Sequence, residues 1–111
     1  GVLDWESAHL GNPGSDLGWM CVRSWRYGYH DNIVGGFGDV ADMIDGYEAA
    51  GGGRLDAEEI YFWQVFGTLR WGILCMILCF THLDGEQRTV EYAGIGRRAA
   101  ETEYDLLQLL D

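Results

Sequence analysis

The stretch from residue 56 to residue 82 constrains the fold of this chain more than any other feature. Its apolar residues are spread nearly all round a helix, and it contains no proline. Asp56 and Glu59 form a D-x-x-E capping box, whose side chains accept hydrogen bonds from free backbone N–H groups at a helix start. Gly85, in a turn-forming L-D-G sequence, ends the pattern. The sequence therefore predicts one long central helix, packed on several sides.

This helix is also the only candidate for a membrane span. Its most apolar run, Trp71 to Phe80, is about half of the ~20 residues that cross a bilayer. Arg70, Thr68 and Gln64 lie just before it. Residues 1–20 lack the basic and apolar regions of a signal peptide. We therefore expect a buried core helix in a cytoplasmic protein that has no membrane partner.

The remaining residues add three helical segments and a short extended one. Helices are predicted over 16–27, with Asp16 as the cap, over 39–50, and over 87–110 with a break near residues 94–96. Val2 and Leu3 are typical of the end of a buried strand. The predicted fold class is mainly α with a short N-terminal β stub. Residues 1–111 form a single domain, with a metal-binding strand and loop in 1–18 and a helical subdomain in 19–111.

Charge and cysteine content narrow the range of partners. The 111 residues carry 18 acids against 7 bases, a net charge of -11. Binding to a nucleic-acid backbone requires clustered basic side chains, so this composition excludes it. A cationic ligand or simple solubility agrees with the charge. Cys21, Cys75 and Cys79 lie in apolar surroundings without the spacing of a metal site, which favours reduced thiols in a reducing compartment.

Asp4 is the one candidate metal ligand that the residues suggest directly. It follows the apolar pair of the predicted strand and precedes a polar loop, a position that projects a side chain into a cleft. Mg²⁺ is commonly held by one or two protein carboxylates, with phosphates and waters completing the octahedron. Asp4 alone supplies half of such a site, and an ordinary loop aspartate is the alternative interpretation.

The opening also carries a resemblance to a known family. V-L-D-W-E at 2–6, G-N-P at 11–13 and D-L at 16–17 are similar to the segment that follows the catalytic loop in the aminoglycoside phosphotransferase family. That family is related to choline kinases and, more distantly, to protein kinases. Y-E-A-A-G at 47–51, F-G-T-L-R-W at 66–71 and residues 96–110 resemble the helical end of bacterial members.

The resemblance implies a role for each matched residue. Asp4 matches the aspartate that holds Mg²⁺ against the β- and γ-phosphates of ATP. Asp16 matches a buried acid that braces the catalytic loop, and Pro13 shapes the turn between them. Asn12 stands where the family usually has Asp, and we expect a structural consequence of this difference. The implied fold is the helical C-terminal subdomain of a protein-kinase-like enzyme.

The implied activity is transfer of the ATP γ-phosphoryl group to a hydroxyl of a small, cationic acceptor. The family's H-G-D-x-x-x-x-N loop and its lysine-bearing β lobe have no counterpart here, since the chain contains neither an H-G-D sequence nor any lysine. We therefore expect no activity from this chain alone and no tight binding of Mg²⁺ or ATP. An apolar face left without the missing lobe predicts a homo-oligomer. The alternative is a stand-alone helical binding or interaction module without catalysis.

Two charged groups remain as weaker candidates for ligand binding. Asp39, Asp42, Asp45 and Glu48 recur every three residues and could line the acceptor pocket, although a solvated helix face is the favoured interpretation. Arg97 and Arg98 could meet an anion or could neutralise nearby glutamates. The H-D-N sequence at 30–32 lacks the spacing of a catalytic loop and is predicted to lie on the surface.

Overall fold

The long helix is present and forms the axis of the molecule. In the computed structural model, which describes residues 1–111, helix α3 runs over Ala57–Leu83, a length of about 40 Å. The Asp56 carboxylate accepts a hydrogen bond from the Glu59 backbone N–H at 2.7 Å, as the capping box predicts. Gly85 adopts a left-handed φ of 84° just beyond the helix end, a conformation that costs glycine little.

Four shorter helices surround part of this axis. They are α1 (Gly14–Met20), α2 (Val40–Ala49), α4 (Val90–Gly96) and α5 (Ala99–Leu110), with 3-10 turns at Trp5–Ser7 and Arg23–Arg26. The mainly α fold class is thus confirmed. The second predicted helix is also confirmed, and the Asp39 side chain caps it by accepting a hydrogen bond from the Asp42 backbone N–H. The predicted division of the last helical segment is confirmed as well, since α4 ends at Gly96.

The helix predicted over 16–27 is wrong at both ends. The Asn12 side chain accepts a hydrogen bond from the Gly14 backbone N–H at 2.7 Å, and Pro13 already has helical dihedrals, so α1 begins before Asp16. Asp16 therefore lies in the first turn instead of capping it. Val22 is extended, with ψ 132°, and this separates α1 from the following 3-10 turn.

The predicted β stub is also wrong. Val2 and Leu3 are 70% and 83% exposed and belong to no strand. A strand needs a neighbour for its backbone hydrogen bonds. The chain provides no such neighbour, since its one β-bridge joins Val34 to Gly38.

Close helix contacts position the core on one side of α3. Gly18 of α1 lies against the Trp63 backbone, and a Cβ at that position would be 2.6 Å from the Trp63 carbonyl carbon. Gly72 similarly faces Thr102 of α5. A cluster of Cys21, Val34, Ile44 and Ile60 fills the space between α1, α2 and the start of α3.

The opposite side of α3 is not covered by the rest of the chain. Phe62, Phe66 and Phe80 are 60%, 47% and 59% exposed. The prediction of a helix packed on several sides is therefore wrong for this face. The close approaches of α1, α4 and α5 are to other residues of α3, namely Trp63, Cys79 and Gly72. By length and composition α3 could cross a membrane, a criterion that core helices of soluble proteins also meet.

Candidate functional site

Asp4 lies in an exposed N-terminal turn. Its backbone is left-handed, with φ 60° and ψ 40°, and its carbonyl accepts a hydrogen bond from the Ser7 N–H at 2.9 Å. The Trp5 indole N–H donates to the Val2 carbonyl at 3.1 Å. Aspartate tolerates this backbone region better than most residues do. The turn, and not a strand, thus sets the direction of the Asp4 side chain.

A cavity of about 490 Å³ brings Asp4 and Asp16 together. Glu6 and Arg70 contribute further charged side chains to its lining, and Trp19 contributes an apolar one. Asp16 is exposed here, whereas the resemblance implies a buried acid. No three acid, histidine or cysteine side chains are grouped closely enough to hold a metal ion unaided. The cavity therefore offers separate carboxylates and no complete metal centre.

Asn12 connects the N-terminal loop to the start of α3. Its side-chain N–H donates to the Glu59 carboxylate at 2.7 Å while its side-chain oxygen accepts from the Gly14 N–H. An ionised aspartate could accept from Gly14 but could not donate to Glu59. The asparagine that departs from the family pattern therefore has a structural partner. Pro13 lies beside it, and with Asp16 both residues line a neighbouring cavity of about 340 Å³.

The row of acids on α2 does not converge on a cavity. Asp39 caps the helix, and Asp42 is exposed. Asp45 and Glu48 accept hydrogen bonds from the Arg54 guanidinium at 3.1 Å and 2.5 Å. The pKa of Arg54 is raised, because its guanidinium donates these two hydrogen bonds. The bond to Glu48 has the larger effect and the bond to Asp45 the next largest.

The cavity beside α2 is lined instead by the opposite side of the helix. Val40 and Ile44 contribute to it, together with Leu55 from the segment before α3, whereas none of the four acids does. The solvated helix face is therefore the arrangement observed for these acids.

A second cleft, which sequence reasoning missed, lies between the 3-10 turn Arg23–Arg26 and α5. Its volume is about 600 Å³. The Arg23 guanidinium donates to the Asp105 carboxylate at 2.9 Å, and the Asp105 residue is only 8% exposed. These residues are far apart in the chain, so no local spacing pattern indicates the pair. The cleft is lined by Arg23, Ser24, Tyr27, Gly28, His30, Arg98, Ala100, Glu101, Tyr104 and Asp105.

Arg26 lines a smaller neighbouring cavity of about 190 Å³, which shares Arg23, His30 and Asp105 with the cleft. Its guanidinium donates to the carbonyls of His30 at 3.0 Å and Cys21 at 2.8 Å, and the residue is 9% exposed. Burial lowers the pKa of Arg26, and burial raises the pKa of the Cys21 thiol to about 11. These bonds connect the loop after the 3-10 turn to the end of α1. His30 itself is exposed, as predicted.

No family model, curated protein or solved structure matches this chain. The kinase resemblance therefore depends on the quoted residues of the chain itself. The structure offers two candidate sites. The N-terminal cavity is lined by acids and contains the motif residues Asp4 and Asp16. The cleft beside α5 is lined by the basic side chains of Arg23 and Arg98 and by His30.

Proposed function

We propose that this chain is the C-terminal helical part of an aminoglycoside-phosphotransferase-like kinase. The whole enzyme would transfer the γ-phosphoryl group of ATP to a hydroxyl of a small, cationic acceptor in the bacterial cytoplasm. One observation supports this assignment more than any other: Asp4 and Asp16, the two acids that the motif identifies, line a single cavity. The spacing of D-W-E, G-N-P and D-L agrees with the same assignment.

The donor chemistry of this cavity fits Mg²⁺. Asp4, Glu6 and Asp16 are among the residues that line it, and Mg²⁺ typically takes one or two carboxylates together with phosphate oxygens and waters. Asp4 would hold the ion, which when bound neutralises charge on the nucleotide phosphates. Asn12 ties the loop before Asp16 to the start of α3 through its hydrogen bonds with Glu59 and Gly14.

The chain alone should lack turnover, because phosphoryl transfer also needs a base, a second metal ligand and a phosphate-binding lysine. Incubation of the 111-residue chain with Mg-ATP and a panel of amino sugars and amino alcohols tests this expectation. We expect no ADP formation above the rate without protein. Clear turnover would contradict the assignment of the chain as an incomplete enzyme.

The coding sequence upstream of Gly1 tests the kinase assignment itself. A lysine-bearing β lobe followed by an H-G-D loop would support it, whereas a start codon immediately before Gly1 would overturn it. In the extended protein, Asp4→Asn should lower kcat at least 100-fold, since a metal ligand for the transferred phosphate is lost. Asp84→Asn, at the exposed end of α3, is the matched control and should retain activity.

A second candidate function is a helical interaction module without catalysis. The specific observation in its favour is the uncovered apolar face of α3, which includes Phe62, Phe66 and Phe80. A start codon directly before Gly1 would favour this candidate over the first.

A further inference from the structure

Seven exposed apolar side chains of α3 follow a regular spacing. Counted from residue 62, the intervals are four, three, four, three, four and three, which is the a/d repeat of a coiled coil. No position of this repeat is polar or charged. The seven side chains, defined here as the α3 seam, are Phe62, Phe66, Leu69, Ile73, Met76, Phe80 and Leu83.

Every member of the α3 seam is exposed in the monomer. The exposed fractions range from 42% for Met76 to 62% for Leu83, and Ile77 beside the seam is 52% exposed. Aromatic side chains carry ~150–250 Å² each, so a face of this size exposes on the order of 700 Å². The largest apolar patch on a typical monomer is about 300–600 Å². This estimated area is slightly below the ~800 Å² per partner of a standard interface.

We propose that two copies of this chain associate through the α3 seam. A repeat of 3.5 residues matches another helix that has the same repeat, because the side chains of one helix then enter the gaps of the other. The chain's own α3 is such a helix, so the face is complementary to itself, as a two-fold interface requires. This inference is argued from the exposed face of α3 and uses none of the phosphotransferase motif residues.

The local charge along the seam permits association in spite of the net charge of -11. Between Glu59 and Asp84, α3 carries a single charged side chain, Arg70. That guanidinium lies 5.5 Å from the centre of the Trp19 ring, in a cation–π position within its own chain. Between Phe62 and Leu83 the helix carries no acid, so repulsion between carboxylates along the seam is confined to its two ends, where Glu59 and Asp84 lie.

Ring contacts hold one end of the seam in place before association. Trp63 lies between Phe62 and Phe66, with ring centroids 5.2 Å and 5.5 Å away and edge-to-face angles of 81° and 84°. Such pairs restrict side-chain rotation, which reduces the entropy lost on binding.

Sedimentation equilibrium of the full 111-residue chain tests the proposal. We expect a dimer at ~10 µM that dissociates on dilution. Leu69→Lys combined with Ile73→Lys should weaken dimerisation at least 100-fold, because two ammonium groups per copy would enter an apolar contact. Both positions are exposed, at 47% and 44%, so the helix content measured by circular dichroism should not change.

Leu107→Lys is the matched control, because Leu107 on α5 is also an exposed leucine, at 68%. It should leave the dimer intact. A monomer at ~100 µM, or equal weakening by Leu107→Lys and by the seam variant, would overturn the proposal. So would a monomeric chain that floats with phosphatidylcholine vesicles, since the seam would then be a membrane-binding face.

Discussion

At the scale of single residues, two helical glycines predict opposite responses to the same substitution. Gly18 meets the backbone of α3, where a Cβ would be 2.6 Å from the Trp63 carbonyl carbon and 2.8 Å from the Gln64 nitrogen. Gly46 in α2 has no neighbour within 4 Å of its Cβ position. We expect Gly18→Ala to lower the free energy of unfolding by about 2–4 kcal/mol, because backbone atoms cannot move aside as flexible side chains do.

Gly46→Ala is the matched control and should raise the free energy of unfolding by about 0.5–1 kcal/mol, since alanine loses less entropy in a helix. Urea denaturation of both variants measures the difference. Similar effects of the two substitutions would contradict the close crossing of α1 and α3.

At the scale of elements, the Arg23–Asp105 ion pair joins the 3-10 turn after α1 to α5. Asp105 is 8% exposed, so its removal leaves the Arg23 guanidinium without its carboxylate partner. We expect Asp105→Ala to lower the free energy of unfolding by about 1–3 kcal/mol, less than for a fully buried pair because the Arg23 side chain is 41% exposed. Asp105→Asn should cost less, since its oxygen still accepts a hydrogen bond.

The exposed ion pairs of Arg54 with Asp45 and Glu48 on α2 provide a comparison for the Arg23–Asp105 pair. Asp45→Asn removes one of the two carboxylates that pair with Arg54. The side chains of Arg54, Asp45 and Glu48 are all open to solvent. Thermal denaturation should therefore detect no change for Asp45→Asn. If Asp45→Asn lowered stability as much as Asp105→Ala, the difference in burial between the two ion pairs would not explain their contributions to stability.

At the scale of the whole molecule, the chain is more extended than a compact domain, and few of its residues are buried. Its radius of gyration is 15.3 Å, whereas a compact domain of this length has roughly 13 Å. Only 15 of the 111 residues are buried. A second copy on the α3 seam would supply the missing cover for the apolar side of the axis.

The net charge of -11 predicts the salt dependence of the folded state. Repulsion among 18 acids opposed by 7 arginines destabilises the compact chain, and salt screens it as the Debye length falls from ~30 Å at 0.01 M to ~8 Å at 0.15 M. The free energy of unfolding should therefore rise with NaCl over this range. Measurement in the Leu69→Lys, Ile73→Lys variant removes the contribution of dimerisation. Stability that falls with salt would contradict the prediction.

The sequence by itself determined the features that depend on neighbouring residues. Asp39 and Asp56 start helices because their carboxylates accept backbone N–H groups three residues on, and such contacts are encoded locally. The long helix, the break after Gly96 and the mainly α class were predicted for the same reason. The predicted strand at Val2 failed because pairing requires a distant partner.

Only the tertiary structure decided which faces and which distant residues meet. The Arg23–Asp105 pair joins positions that share no local pattern, and the cleft beside it depends on that contact. In α3, apolar residues are so evenly distributed that periodicity could not distinguish the covered face from the α3 seam. Glycines such as Gly18 and Gly72 allow neighbours to approach one side closely, and the bulky residues of the seam remain on the other.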